Sequence, residues 1–271
     1  MSVIGRHNVT ITGPTDGQPM LFAHGFGCDQ RMWRHVAPRF ADRYRVITFD
    51  NMGAGASDPA GYDAEAYSNL GGYAQDIVRI VEELDLRDVV FVGHSVSAMI
   101  GSLAATAVPE RFAALVLVGP SARYLDDEGY VGGFTESDID GLLESLASNY
   151  LGWSGAMAPV IMGNPDRPAL GEELNDSFCR TDPAIAHQFA QVTFLSDSRA
   201  DLAAVTTPAL VLQCSDDAIA PLGVGRFVAD ELPDATYVVL QATGHCPNLS
   251  APEETYQAID GWLAGRIALT P

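Results

Sequence analysis

Val89-Val90-Phe91-Val92-Gly93-His94-Ser95-Val96-Ser97-Ala98-Met99-Ile100-Gly101 is the stretch that decides the fold class. Four apolar β-formers run unbroken into a glycine, and a helical pattern then continues to about Ala107. A continuous apolar run suits a parallel strand buried on both faces. The sharp turn between strand and helix lifts Ser95 above the sheet, at a helix N-terminus. There the dipole and the free N–H groups favour a developing negative charge. The usual turn reads G-x-S-x-G, whereas Ser97 stands here at the position of the last glycine. On this segment alone Ser95 also reads as a plain helix N-cap.

The flanking sequence repeats the pattern. Met20–Ala23 runs into His24-Gly25, Tyr44–Phe49 ends at Asp50, and Ala114–Val118 ends at Gly119-Pro120. Between them, Tyr67–Leu84 carries apolar residues at helical spacing and predicts a crossover helix. From Ser121 to about Leu202 the strand signal disappears. Helical stretches such as Ser137–Tyr150 take over, with breaks expected at Trp153–Pro159 and Gly163–Pro168. After Pro208 the alternation returns, with strands at Ala209–Leu212 and Thr236–Leu240 and helices at Leu222–Leu232 and Thr255–Ile267. The expected class is α/β: a mostly parallel central sheet formed by residues 1–120 and 203–271, with a helical lid inserted at 121–202.

Composition removes several function classes. The 271 residues are 47% hydrophobic, with mean hydropathy +0.08, which suits a soluble globular chain. Fifteen basic residues, all arginine, face 35 acidic ones, for a net charge of −20. Without lysine there is no Walker lysine and no pyridoxal-phosphate Schiff base. The acidic balance disfavours nucleic acid and anionic membranes as partners. Cys28, Cys179, Cys214 and Cys246 form no C-x-x-C pair, so neither a metal site nor a disulfide framework is expected, and a reducing cytoplasm fits. Met1–Gln18 is polar, without the apolar stretch of a secretory signal, and no apolar run reaches the roughly 18 residues of a membrane span.

Chemistry collects at the predicted strand ends. His24-Gly25-Phe26-Gly27 follows the first strand and can offer the Phe26 N–H to an oxyanion beside that of Val96, or it is an ordinary glycine turn. Asp216 and Asp217 follow the strand at Ala209–Leu212. Asp217 is the preferred partner for a histidine, with Asp216 as the alternative. Gly244-His245 follows the last strand, which makes His245 the candidate general base. Ser95, Asp217 and His245 come in the chain order of the α/β-hydrolase triad. His7, His35 and His187 lack such company and read as surface or packing residues. His94, beside Ser95, reads as a packing residue near the pocket, and Cys246, directly after His245, as a small buried thiol. Asp50–Gly55 lacks the G-x-G-x-x-G spacing of a dinucleotide site and reads as a structural turn.

These residues resemble the α/β-hydrolase superfamily, and within it the family of the bacterial stress regulator RsbQ and the plant karrikin and strigolactone receptors. The resemblance rests on Gly93–Gly101, where serine at the last elbow position is the family's habit. It also rests on His24–Gly27, Pro120–Leu125, Gly132-Gly133-Phe134, Asn149-Tyr150, Trp153, Ala158-Pro159 and Phe194–Arg199. It implies a lid of four helices over a deep pocket lined by Phe26, Phe134, Leu142, Trp153, Met157, Leu174, Phe194 and Ile219. Phenylalanine is common in the family where Met157 and Leu174 stand, and Ala122 replaces a frequent proline. The implied activity is hydrolysis of a small hydrophobic ester or lactone by Ser95, His245 and Asp217, without metal or organic cofactor, in a chain expected to be a monomer. The main alternative is a ligand-sensing receptor of slow turnover that regulates a protein partner, such as a metal-dependent serine/threonine phosphatase. Haloperoxidase-like or lyase chemistry is a further alternative.

Overall fold

The computed structural model describes residues 2–266. In chain order the elements are α1 (Val3–Arg6), β1 (Thr10–Thr12), β2 (Gln18–Ala23), β3 (Tyr44–Thr48), α2 (Leu70–Glu83), β4 (Val89–His94), α3 (Val96–Ala107) and β5 (Phe112–Val118). There follow α4 (Glu136–Ser148), α5 (Tyr150–Met162), α6 (Pro168–Phe178) and α7 (Pro183–Phe194). The chain closes with β6 (Ala209–Asp216), α8 (Leu222–Glu231), β7 (Ala235–Thr243), α9 (Pro247–Ser250) and α10 (Pro252–Arg266).

The seven strands form one sheet in the order β1-β3-β2-β4-β5-β6-β7, and only β1 runs antiparallel to its neighbour. Strand alternation divides the side chains between two cores. Met20, Phe22, Val90, Val92, Val116 and Leu212 face one way. Leu21, Ala23, Val89, Phe91, Leu117 and Val211 face the other. Burial on both faces is why the central strands read as continuous apolar runs. Helix α2 covers one face with Leu70, Tyr73, Ile77, Ile80 and Val81, and the Asn69 side chain caps it by accepting from Gly71 N–H.

After β2 the chain adds β3 on one side and then crosses back to place β4 on the other. The carboxyl ends of β2 and β4, paired through Ala23 and Gly93, therefore lie where the winding direction reverses. In open α/β sheets ligands bind outside such a switch point. His24–Gly27 leaves one of these strand ends and Ser95 the other.

Helices α4 to α7 all lie between β5 and β6. The chain leaves for this segment and returns from it side by side. Ser198 N–H donates to the Ala122 carbonyl (2.8 Å), Arg123 pairs with Asp197 (2.8 Å), and Arg199 pairs with Asp127 (2.8 Å).

Two elements differ from the sequence expectation. The break expected at Trp153–Pro159 is absent, because α5 runs through it. The Asn149 side chain caps this helix on Gly152 N–H (3.0 Å). Pro159 lies inside this helix, where it has no N–H to donate to the Gly155 carbonyl. The break at Gly163–Pro168 is present, with Gly163 in the left-handed conformation that ends α5. Strand β1 was not visible in the sequence. Its three residues are exposed and exist as a strand only through pairing with β3.

Candidate active site

Ser95 sits between β4 and α3 with φ +57° and ψ −126°, a conformation that non-glycine residues rarely adopt. Its backbone N–H is tied to the Val118 carbonyl (2.8 Å), which holds the turn against β5. His245 follows β7 after Gly244, whose φ is +88°. A Cβ on that glycine would lie 1.9 Å from the Met162 carbonyl, so glycine is required for the chain to pass under α5. His245 N–H donates to the Ile161 carbonyl (2.8 Å). Asp217 follows a bulge at the end of β6.

These three side chains form one hydrogen-bonded chain. Ser95 Oγ lies 2.7 Å from His245 Nε2, and His245 Nδ1 lies 2.8 Å from Asp217 Oδ2. Asp217 Oδ1 accepts from Ile219 N–H (2.8 Å) and Ala220 N–H (3.0 Å), and Gln213 Nε2 donates to Oδ2 (3.3 Å). Burial opposes ionisation of Asp217. The His245 ring and the hydrogen bonds from His245, Ala220 and Ile219 outweigh it and hold the carboxyl below its ordinary range. An ionised carboxylate only accepts, so Nδ1 carries the proton and Nε2 accepts from Ser95 Oγ–H. Asp216, the alternative acid, is exposed, and its carbonyl accepts from Gly244 N–H (2.7 Å).

Val96 is the first residue of α3 and Phe26 lies in the loop after β2. Neither N–H has a hydrogen-bond partner among the described residues. His94 is more than packing. It is buried, its Nε2–H donates to the His245 carbonyl (2.7 Å), and its ring lies 5.0 Å from the His245 ring. Burial and the neighbouring His245 push its pKa down to about 3, so it is neutral and anchors the His245 backbone.

Above Ser95 lies a cavity of about 30 Å³. Its wall contains Phe26, Leu142, Trp153, Met157, Leu174, Phe194 and Ile219, all expected there. Phe134 is not on the wall. Its ring stands edge-on to that of Phe194, 6.3 Å away, one layer behind. Tyr124, Phe178, Thr193 and Cys28 line the cavity without having been singled out in the sequence. The Tyr124 hydroxyl approaches Ser95 Oγ to 3.4 Å, and burial pushes its pKa up to about 12. Tyr124 lies in the Pro120–Leu125 motif and Cys28 among the scattered cysteines, but neither pattern assigns a place in a cavity, and Phe178 and Thr193 stand in no motif. Among the described residues no group of three or more His, Cys, Asp or Glu could hold a metal ion, and no helix is long and apolar enough to cross a membrane.

Residues 20–258 match the alpha/beta hydrolase family. The chain belongs to this family. Among its relatives is the karrikin insensitive 2 receptor CA of Petunia hybrida, 41% identical over 248 residues that span 91% of this chain and 92% of the relative. The strigolactone esterase D14 of Arabidopsis thaliana is 37% identical over 257 residues, spanning 94% and 96%. A solved structure of a hydrolase from Oleispira antarctica superposes with a TM-score of 0.94 at 38% identity, covering 97% of this chain and 96% of that one. In this α/β hydrolase the remaining histidines stand apart from Ser95. His7 is buried beneath Asp50, whereas His35 is exposed. The Asp50–Gly55 turn is built around the Asp50 carboxylate, which accepts from Asn8, Gln30 N–H and Ala56 N–H. A Cβ on Gly55 would lie 2.4 Å from that carboxylate.

Proposed function

We propose that the protein is a serine hydrolase acting on small hydrophobic esters or lactones, with Ser95 as nucleophile, His245 as general base and Asp217 as its orienting acid. The observation that carries this reading is the chain Ser95 Oγ, His245 Nε2, His245 Nδ1, Asp217 Oδ2, with links of 2.7 and 2.8 Å, on the floor of an apolar cavity. His245 Nε2 takes the Ser95 proton as Oγ bonds to the substrate carbonyl carbon. The tetrahedral oxyanion receives the N–H groups of Phe26 and Val96. Nε2–H then protonates the departing alkoxide, leaving an acyl ester on Ser95. Water, deprotonated by the same nitrogen, attacks that ester and frees the acid.

The segment 121–202 acts as the lid in this reading. Its helices contribute Leu142, Trp153, Met157, Leu174 and Phe194 to the wall. An enclosed apolar site excludes peptides and polysaccharides, whose backbone polar groups would go unpaired. The test is Ser95→Ala against p-nitrophenyl esters and small lactones. Turnover should fall at least about a thousandfold with an unchanged melting temperature. A variant that keeps most of its activity refutes the assignment.

One observation favours a second role for the same site. The space above Ser95 is tight for an ester or lactone, so a bound ligand shifts the α4–α7 side chains that form its wall, Leu142, Trp153, Met157, Leu174 and Phe194. Ligand occupancy is thereby coupled to lid position, which is what a receptor signalling to a protein partner needs. Slow turnover, with hydrogen exchange in α4–α7 changing on ligand addition, is the expected signature of that role. Fast multiple turnover with no change there counts against it.

A further inference from the structure

We propose that Ser97, standing where the elbow usually has glycine, is a positioning residue that holds the two oxyanion donors, Phe26 N–H and Val96 N–H, at a fixed separation through His24. The inference rests on the function proposed above and extends it to how the oxyanion site is kept in shape.

The two donors come from different elements. Val96 N–H belongs to the first turn of α3, while Phe26 N–H belongs to a loop after β2. An oxyanion site works only if its donors are placed before the charge appears. A loop and a helix end need a cross-link to keep that spacing. Ser97 lies next to Val96 in the same helical turn and is fully buried. Its hydroxyl donates to the His24 carbonyl at 2.5 Å. Asn51 Nδ2 donates to the same carbonyl (3.0 Å) and approaches Ser97 Oγ (3.3 Å).

From His24 the restraint passes to the donor itself. Asn51 N–H donates to His24 Nε2 (2.9 Å), so the ring proton of the neutral imidazole sits on Nδ1. Nδ1–H then donates to the Gly25 carbonyl (2.9 Å), which also accepts from Cys28 N–H (3.3 Å). The Gly25 carbonyl and the Phe26 N–H share one planar trans peptide and point in opposite directions. Two donors on the carbonyl therefore aim the N–H. The loop also presses on the elbow, since a Cβ at Gly25 would come within 2.6 Å of His94 Nδ1 and 3.1 Å of Ser95 Cβ. A glycine at position 97 would lack the hydroxyl's link from α3 to the His24 carbonyl, leaving only the bonds from Asn51 and Cys28.

The experiment compares wild type, Ser97→Ala and Ser97→Gly, the last being the residue the usual elbow carries and therefore compatible with the turn. Loss of a complete oxyanion donor costs about a hundred- to a thousandfold in kcat. Loosening one should cost on the order of tenfold, because small misplacements are penalised steeply. The expected result is a kcat for p-nitrophenyl butyrate about tenfold lower in both variants, with KM within twofold. The inhibition constant of a trifluoromethyl ketone, which forms a tetrahedral oxyanion on the serine, should rise by a similar factor. Unchanged kcat overturns the proposal. So does a lower kcat without a weaker ketone, since a merely structural role would produce that pattern. End-point labelling of Ser95 by a fluorophosphonate separates the two readings. Absence of label on wild-type Ser95 defeats the proposed nucleophile, whereas full label with unchanged ketone binding defeats only the role of Ser97.

Discussion

Asp217→Asn is the substitution whose outcome the geometry determines most closely. The carboxylate accepts from four donors: Ile219 N–H and Ala220 N–H on one oxygen, His245 Nδ1–H and Gln213 Nε2 on the other. An amide has one acceptor and one donor end, so it has to choose. With its oxygen toward His245, its NH2 faces two backbone N–H groups and leaves both buried donors unpaired. At about 1–3 kcal/mol each, that orientation costs roughly 2–6 kcal/mol. With its oxygen toward the backbone, it loses only the long Gln213 contact, and its NH2 faces His245 Nδ1. The second arrangement wins, and it forces the imidazole proton onto Nε2, where it points at Ser95 and cannot act as a base. A preference of 2–6 kcal/mol depletes the competent tautomer by roughly 30-fold to 10⁴-fold. Loss of the carboxylate charge opposite the imidazolium adds to this, so kcat should fall about 10³- to 10⁴-fold with little change in KM. The assay is saturating turnover of p-nitrophenyl butyrate, with Asp216→Asn as the control, since Asp216 is exposed and should tolerate the change. Asp217→Asn retaining more than a tenth of wild-type kcat refutes the tautomer argument. A collapse in Asp216→Asn instead would place the functional acid one residue earlier.

Two further outcomes are open to direct measurement. Phe194→Ala should raise the octanoate-to-acetate ratio of kcat/KM severalfold by widening the cavity, with Phe134→Ala weaker because Phe134 stands behind Phe194, and an unchanged ratio in both would mean that neither ring limits the acyl chain. Asp29 is buried, and although burial opposes its ionisation, the Arg31 side chain and backbone N–H hold its pKa down to about 2, with Arg180 pairing from beyond α6. A depressed carboxylate stabilises the fold above its unfolded pKa near 4, and that contribution is lost as pH falls through about 2. Discounted for the half-exposed guanidiniums, Asp29→Asn should cost about 1–2 kcal/mol at pH 7, read as a melting-temperature gap that narrows between pH 4 and pH 2. A gap of constant size over that range would assign the effect to shape.

The sequence by itself determined the fold class and the identity of the candidate residues. Both are written in local pattern. Strands buried on two faces have to be continuous apolar runs, and residues carried at their ends follow glycines and acids at fixed offsets, so Ser95, Asp217 and His245 were legible from their neighbours alone. The helix through Trp153–Pro159 was not legible, because an internal proline reads locally as a break, whereas packing of Trp153 and Met162 against the core holds the helix through it. Strand β1 was hidden for the same kind of reason, since a partner strand creates it. Only the tertiary structure decided which polar groups meet. Asp217 and Asp216 differ by one residue in sequence, and the bulge in β6 buries the first and exposes the second. Phe134 belongs to the same aromatic pattern as Phe194, yet it falls one layer outside the cavity wall. The Ser97–His24 link joins residues 73 positions apart. Hydrogen bonds of that span are fixed by where the strands place their ends, and the switch point between β2 and β4 exists only once the sheet has formed.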